Sequence, residues 1–301
     1  MPLFSVIIPT FNRYQVLKDA IESVWQQTFT DYELIVVDDG STDATAEFLA
    51  SLGDRMRVLR QKNLGPGAAR NLGAENATGE YLAFLDSDDL WFPWTLQNYA
   101  VAIEKNSKPA IISGKGSHGG TASIELSSEP SCRYWPCLMA ACHDTMPPVG
   151  GTPSVAVRRV SFVDLGGFVA KKVNAEDVDL WFRFGVEAGF VRIESPPVFQ
   201  QGYLDVTVSR DIDAQIGGIE LVLSREKVGD YPGGCVYRHA RERIIAAMAR
   251  SVSFECLRAG RFSEAWEIYV KAMPVQIRSL RIRYITFFPL MLLMAKVRKK
   301  N

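Results

Sequence analysis

The stretch Tyr81-Leu-Ala-Phe-Leu-Asp-Ser-Asp-Asp89 restricts the choice of fold more than any other part of the chain. An uninterrupted apolar run rich in β formers stops abruptly at Asp86, Asp88 and Asp89. Such a run suits a strand covered on both faces, as in a parallel sheet, and ligands of open α/β sheets bind beyond the carboxyl ends of the strands. The three aspartates would stand at that binding edge. Carboxylates so close together repel one another unless a cation neutralises them, and hard oxygen donors favour Mg²⁺ or Mn²⁺, ions that commonly also hold a substrate phosphate. The segment therefore predicts a metal and a diphosphate. The same residues also suit a helix start, with Asp88 or Asp89 as cap and Pro93 near the first turn, so this segment alone leaves both roles open.

The flanking sequence repeats the pattern. Leu3 to Pro9 predicts a first buried strand, after which Val16, Leu17, Ala20, Ile21 and Val24 recur at helical spacing. Glu33 to Val37 predicts a second strand ending in Asp38-Asp39-Gly-Ser-Thr-Asp43, ahead of a helix over 44–52 with Ser41 or Thr42 as cap. A short strand over 56–59 leads into Asn63-Leu-Gly-Pro-Gly-Ala-Ala-Arg-Asn-Leu-Gly73, a loop running into a helix. It lacks the spacing of a P-loop or of G-x-G-x-x-G, so its only phosphate signal is the helix N-terminus. A helix over 94–105 and a strand over 110–113 complete an alternation that predicts the α/β class with a doubly wound sheet.

Residues 114–131 are polar and rich in Gly and Ser, which predicts a domain transition or a loop, with His118 as a solvated side chain. Beyond it a strand is expected over 154–157 and a short helix over 160–165, closed by Gly166-Gly167. Asn174-Ala-Glu-Asp-Val-Asp-Leu-Trp-Phe-Arg183 places Glu176 and Asp177 in the first turn of a helix expected to continue to Ala188. The macrodipole favours carboxylates there, and dipole compensation alone would account for them. Residues 238–273 read as a helical hairpin turning at Ala259-Gly-Arg261.

Lys plus Arg and Asp plus Glu both number 34 in 301 residues, and no nucleic-acid motif is present, so nucleic acid is not an expected partner. The tail departs from that balance. After Glu267 there is no acid, whereas Arg278, Arg281, Arg283, Lys296, Arg298, Lys299 and Lys300 flank the apolar run from Ile285 to Ala295. That run is too short to span a bilayer and is interrupted by Pro289, but it suits a membrane surface; packing on the hairpin or a dimer contact is the rival reading. Five scattered cysteines, with Cys132, Cys137 and Cys142 five residues apart, fit neither a zinc site nor a disulfide framework. With no secretion signal legible at the N-terminus, a cytoplasmic chain, peripheral on the inner membrane face, is expected.

Five segments, in order, resemble glycosyltransferase family 2, inverting enzymes with a GT-A fold. They are Ser5-Val-Ile-Ile-Pro-Thr-Phe-Asn-Arg13, Val36-Val-Asp-Asp-Gly-Ser-Thr-Asp43, Gly65-Pro-Gly-Ala-Ala-Arg-Asn-Leu-Gly73, Phe84-Leu-Asp-Ser-Asp-Asp89 and Glu176-Asp-Val-Asp-Leu-Trp181. The likeness covers roughly residues 3–200. It implies a GT-A-type mixed sheet flanked by helices, with a nucleotide-sugar-binding half over 1–113, an acceptor-binding half over 114–230 and a C-terminal helical extension over 231–301. The implied activity is metal-dependent transfer from a nucleotide sugar, UDP-sugar first, to a hydroxyl of a glycan or lipid-linked acceptor. By the same resemblance Pro9, Thr10 and Asp39 would contact the nucleoside, with Arg70 and Asn71 beside it. Asp86 would face the ribose or sugar and share Mn²⁺ or Mg²⁺ with Asp88. Asp177 would be the general base and Glu176 its neighbour at the acceptor. Trp135, His143 and Trp181 are candidates for acceptor contacts, although packing would equally explain them. Where the family often carries a Tyr-Arg-x-His-like segment, this chain reads Gln201-Gly-Tyr-Leu-Asp-Val-Thr-Val-Ser209 and offers no such histidine. The alternative is a non-catalytic nucleotide-sugar-binding scaffold of the same fold; a nicotinamide dehydrogenase lacks its glycine fingerprint here.

Overall fold

A computed structural model of the chain describes residues 1–117, 129–144, 149, 151–202 and 211–300, with side chains to 297. In chain order the elements are β1 (Phe4–Thr10), α1 (Tyr14–Trp25), β2 (Tyr32–Asp38), α2 (Thr45–Ser51), β3 (Arg57–Arg60), α3 (Pro66–Glu75), β4 (Tyr81–Phe84), β5 (Leu90–Trp91) and α4 (Thr95–Lys105). There follow β6 (Ile111–Gly114), β7 (Gly116–Ser117), β8 (Ser131–Trp135), α5 (Leu138–Asp144), β9 (Val155–Arg158), α6 (Arg159–Asp164), α7 (Glu176–Arg183), β10 (Phe190–Ser195) and β11 (Phe199–Gln200). Four helices close the chain: α8 (Ile212–Val228), α9 (Arg238–Arg258), α10 (Phe262–Arg278) and α11 (Ile282–Lys300). The described residues form two compact units, one from Met1–Ala141, Pro147–Lys172 and Val186–Asp205, the other from Cys142–Met146, Val173–Gly185 and Val206–Asn301.

The first unit is built on a mixed sheet of order β3-β2-β1-β4-β9-β6-β10-β8. β3, β2, β1 and β4 run parallel, β6 and β10 are parallel to each other, and β9 enters antiparallel between β4 and β6. Alternate residues of β1 supply both faces. Phe4, Val6 and Ile8 join Leu17, Ala20, Ile21 and Val24 of α1 and Leu96, Tyr99, Ala102 and Ile103 of α4 in one core cluster. On the other face Ile7 meets α3 at Gly73, where a Cβ would stand 2.6 Å from Ile7 Cγ2 and 3.3 Å from Val37 Cγ2. Burial on both faces is why these strands read as continuous apolar runs, and each fully buried Val, Ile or Phe contributes about 1.5–3 kcal/mol.

Several elements differ from the sequence expectation. The polar passage after Ser113 begins not as a loop but with β7, which pairs with β11 in a second small sheet of order β5-β11-β7. Its glycines serve close approach: a Cβ on Gly114 would lie 2.4 Å from Val198 Cγ2, and one on Gly116 2.5 Å from Phe199 Cζ. His118 lies outside the described residues. Neither Ser41 nor Thr42 caps α2; Asp43 Oδ1 accepts from the Thr45 N–H at 3.0 Å instead. The helix beginning at Glu176 ends at Arg183 and tightens into a 3₁₀ turn over Phe184–Val186 instead of reaching Ala188, consistent with the low helix propensity of Gly185.

The second unit is helical. α9 and α10 form the expected hairpin, with Gly260 at φ +73° in the turn, but α10 continues through Pro274 to Arg278. Ion pairs tie the helices: Arg241 Nε reaches Glu226 Oε2 at 2.7 Å with both side chains buried, and the exposed Arg278 reaches the buried Glu242 Oε1 through Nη2 at 2.7 Å. α11 packs through Tyr284, Phe288 and Leu292, with Phe288 stacked on Tyr269 at 5.3 Å and the Tyr284 hydroxyl hydrogen-bonded to Ser253 Oγ at 2.9 Å. Among the described residues no helix is long and apolar enough to cross a membrane, and all five cysteines are free thiols.

Candidate active site

In the first unit β2, β1 and β4 end at one edge of the sheet, Thr10 lying opposite Asp38 in register. Pro9 and Thr10 are buried there, and the Thr10 hydroxyl oxygen has no hydrogen-bond partner among the described residues. A buried polar atom of that kind is normally completed by water or a ligand. The loops behind it are cross-tied. Asn12, at φ +51°, donates its backbone N–H to Ser41 Oγ at 2.9 Å and accepts from the Thr42 N–H through Oδ1 at 2.8 Å. Asp39 is enclosed by the segment leading to α3: Oδ1 accepts from Gln61 Nε2 at 2.7 Å and the Leu64 N–H at 2.9 Å, and Oδ2 from the Gly65 N–H at 2.8 Å. Its immediate structural role is therefore to hold the 61–65 loop. Gly40, at φ +81°, lets that loop pass, since a Cβ would meet the Asn63 nitrogen at 3.0 Å.

Beyond β4 each acid has a different partner. Arg70 Nη2, from a buried side chain on α3, donates to Asp86 Oδ1 at 2.6 Å, and its guanidinium carbon lies 5.2 Å from the Phe168 ring centroid. Arg13 Nη1 lies 2.6 Å from Asp88 Oδ2. Asp89 Oδ1 accepts from the Gly202 N–H at 2.8 Å. Burial, and then the charges of Asp86 and Asp88, push the Asp89 carboxyl up to about 7 despite that hydrogen bond. None of these side chains caps α4, whose N-cap is Trp94 with no side-chain hydrogen bond. Asn71, expected beside a nucleotide, holds the 168 backbone: Nδ2 donates to the Phe168 carbonyl and Oδ1 accepts from the Phe168 N–H, both at 2.8 Å. Gly167 is needed for this clasp, because a Cβ there would stand 2.5 Å from Asn71 Oδ1.

The donor set at the end of β4 fits a hard divalent cation. Among the described residues no group of three or more His, Cys, Asp or Glu gathers as a protein-only cage. Oxygen donors such as Asp88 and Asp86 are of the kind that would hold such an ion together with substrate phosphate and water. Arg13 and Arg70 meanwhile balance the two acids.

The second unit presents the other acidic motif. Ala175, at φ +79°, turns the chain into α7, whose first turn carries Glu176, Asp177 and Asp179. Asp177 Oδ1 accepts from the Val178 N–H at 2.7 Å. Asp179 is wholly buried and anchors the helix: Arg183 Nη2 lies 2.9 Å from Oδ2, Arg225 Nη1 3.1 Å from Oδ1, and the Tyr231 hydroxyl donates to Oδ1 at 3.0 Å. Burial first, and then the negative charge of Asp179, hold the Tyr231 phenol well above its ordinary range. The segment before α7 is pressed by α8 at two glycines. A Cβ on Gly218 would stand 1.5 Å from the Asn174 carbonyl oxygen, and one on Gly217 3.0 Å from Val173 Cγ1. The Asn174 N–H donates to the Ala214 carbonyl at 2.9 Å.

Trp135 and Trp181, the candidate acceptor residues, are each 6% exposed. Trp135 lies between Phe190, at 5.6 Å, and the Arg133 guanidinium, at 4.6 Å, while Trp181 packs 6.3 Å from Phe184. His143 stands 5.9 Å from the Tyr237 ring. Arg13, Asp179, Arg225, Tyr231 and the Gly217-Gly218 pair were missed by sequence reasoning. Only Arg13 and Asp179, inside the quoted motifs, carried a sequence signal.

The chain is similar in sequence and in fold to known proteins. The model of glycosyl transferase family 2 matches residues 5–135. The putative glycosyltransferase EpsE of Bacillus subtilis is 32% identical over 205 residues, covering 63% of this chain and 68% of that protein. An uncharacterized glycosyltransferase of Rickettsia felis is 39% identical over 156 residues, 49% of this chain but 25% of that protein. The chain spans 58% of a third such relative, from Rickettsia typhi. Among solved structures, S. aureus TarS 1–349 in complex with UDP-GlcNAc superposes with a TM-score of 0.65 at 18% identity, over 92% of this chain and 88% of that one. The mannosyltransferase PcManGT from Pyrobaculum calidifontis, in complex with GDP-Man and Mn²⁺, gives 0.58 at 19% identity, over 99% and 86%. These neighbours share the GT-A fold, and the sequence relationship to EpsE extends over most of that protein. On these grounds the chain belongs to glycosyl transferase family 2.

Proposed function

We propose that the chain transfers a sugar from a nucleotide sugar, a UDP-sugar in the first instance, to a hydroxyl of a glycan or lipid-linked acceptor with inversion at the anomeric carbon. The observation that carries this reading is the pair of acids at the carboxyl end of β4, Asp86 bound by Arg70 and Asp88 by Arg13, together with the unsatisfied hydroxyl of Thr10 at the end of the neighbouring parallel strand β1. The solved neighbours TarS and PcManGT bind UDP-GlcNAc and GDP-Man, which supports a nucleotide-sugar donor.

In this mechanism Pro9, Thr10 and Asp39 receive the nucleoside. Asp39 combines that task with holding the 61–65 loop. Asp86, kept in place by Arg70, faces the ribose or sugar, and Asp88 with Asp86 would hold Mn²⁺ or Mg²⁺. When bound, the cation offsets the charge that develops on the departing diphosphate. Asp177 accepts the proton of the acceptor hydroxyl as that oxygen attacks, and Glu176 orients the acceptor. Single displacement by one carboxylate base inverts the configuration. A membrane surface, met through residues 278–300, is the proposed second partner, in keeping with a lipid-linked acceptor.

Thermal stabilisation by a panel of UDP-, GDP- and other nucleotide sugars, each with and without Mn²⁺, tests the donor assignment. Proton NMR of the sugar product tests inversion. Stabilisation by a UDP-sugar that grows with Mn²⁺ is the expected result; no stabilisation by any nucleotide sugar overturns the reading.

A further inference from the structure

α11 has two apolar faces, and the protein covers only one of them. Tyr284, Phe288 and Leu292, spaced by four, form the buried face against α9 and α10. Phe287, Leu290, Met291, Leu293, Met294 and Val297 point the other way and are 40–61% exposed. At 100° per residue they occupy roughly half the circumference of the helix. Arg283 lies on the same stripe as Phe287, Leu290, Met294 and Val297, spaced by four, three, four and three. This is a continuous apolar surface with cations at its borders.

We infer that this outward face of α11 seats in the headgroup-acyl boundary of an anionic bilayer, with Phe287, Leu290, Leu293 and Met294 buried in lipid and Arg283 and Lys296 on the phosphates. The inference rests on the membrane partner proposed above and assigns it a face. Charge decides between occupants. Residues 278–300 contain Arg278, Arg281, Arg283, Lys296, Arg298, Lys299 and Lys300 and no acid, in a chain whose formal net charge as a whole is zero. Only Arg278 of the exposed bases is matched by an acid of the helical unit, Glu242, among the described residues. An isologous contact with a second copy would bring these bases against their own equivalents, whereas an anionic leaflet neutralises them. The inner face is already locked by Tyr284, Phe288 and Leu292, so docking requires no folding of the helix. Lying along the surface also suits its length and the interruption at Pro289, since the helix is not apolar enough to cross.

The test is flotation of the full chain with vesicles of phosphatidylglycerol and phosphatidylcholine, and with phosphatidylcholine alone. The expected result is binding to the anionic vesicles at low salt, weakened about fivefold for each charge removed in Arg283→Gln and Lys296→Gln, and lost in Leu290→Glu/Leu293→Glu. A melting temperature of the double variant close to wild type shows that these positions do not support the fold. If the wild-type chain does not float, the membrane partner falls and the face assignment with it, while nucleotide-sugar binding, measured separately, leaves the transferase reading standing. If Leu290→Glu/Leu293→Glu floats as well as wild type, the membrane partner stands and the face assignment is wrong. A concentration-dependent dimer in sedimentation velocity, abolished by the same double variant, assigns the face to a second copy and overturns the inference.

Discussion

Removing the Asp179 carboxylate offers the sharpest test of how α7 is held. The side chain is fully buried and is approached by Arg183 at 2.9 Å, Arg225 at 3.1 Å and the Tyr231 hydroxyl at 3.0 Å. Asp179→Ala leaves two guanidinium groups, 13% and 29% exposed, facing an empty site. Breaking a buried pair by deleting one partner costs about 3–5 kcal/mol, because the remaining charge is uncompensated. Tyr231→Phe removes a single hydrogen bond and should cost about 1 kcal/mol. With roughly 2–4 °C per kcal/mol for a chain of this order of size, Asp179→Ala should lower the melting temperature by about 10 °C and Tyr231→Phe by a few degrees. Differential scanning calorimetry separates the two. UDP affinity should stay within about a factor of two of wild type, since the nucleotide-binding residues proposed above belong to the first unit. The reasoning fails if Asp179→Ala melts within a degree of wild type, or if Tyr231→Phe is the more damaging change.

Asp177→Asn should leave donor binding nearly intact and lower turnover by about 10²-fold or more, whereas an inactive Glu176→Gln beside an active Asp177→Asn would transfer the role of base to Glu176. Asp88→Ala should abolish the Mn²⁺-dependent part of UDP binding in calorimetry; an unchanged Mn²⁺ requirement would exclude Asp88 as a metal ligand. Gly73→Ala should destabilise the first unit by about 1–3 kcal/mol in urea unfolding, because the added methyl meets Ile7 Cγ2 at 2.6 Å. Burial raises the Glu33 carboxyl, but hydrogen bonds from Ser5 and Thr78, with the charge of Arg57, outweigh it and hold the group below its ordinary value. A lowered folded-state value adds stability above the unfolded-state value near 4.5 and loses it as pH falls, so the advantage of wild type over Glu33→Gln should shrink in acid.

The parallel half of the sheet was legible because its strands are covered on both faces, which imposes unbroken apolar runs such as Ser5-Val-Ile-Ile-Pro9 and Tyr81-Leu-Ala-Phe-Leu85. The acids that follow Leu85, and those that follow Val37 in β2, were legible for the same reason, as abrupt changes of polarity at a strand end. β7 was hidden because Gly114 and Gly116 look like loop residues until Val198 and Phe199 are seen lying against them. α8 was hidden by Gly217-Gly218, each glycine about 1 kcal/mol worse than alanine for an isolated helix, where the benefit is a close approach to Val173 and Asn174. Arg13 illustrates the third limit. Its place in the Thr-Phe-Asn-Arg run marks a loop, but its partnership with Asp88, seventy-five positions away, is a product of tertiary structure alone. Asn71 shows the converse, a motif residue whose amide is taken up by the backbone of Phe168.

The placement of β9 bears on how the chain can be made and shortened. β9 supplies the antiparallel partner for Tyr81, Leu82 and Ala83 of β4 on one side and for Ile111, Ile112 and Ser113 of β6 on the other. Until residue 158 has left the ribosome, the edges of both strands that β9 will cover stay open and largely apolar, the condition under which sheets recruit foreign strands. The first 113 residues carry most of the nucleotide-binding sequence signature, yet they amount to a sheet split along its middle. Nascent chains paused before β9 should depend on chaperones, and any soluble shortened form must retain the segment that closes this gap.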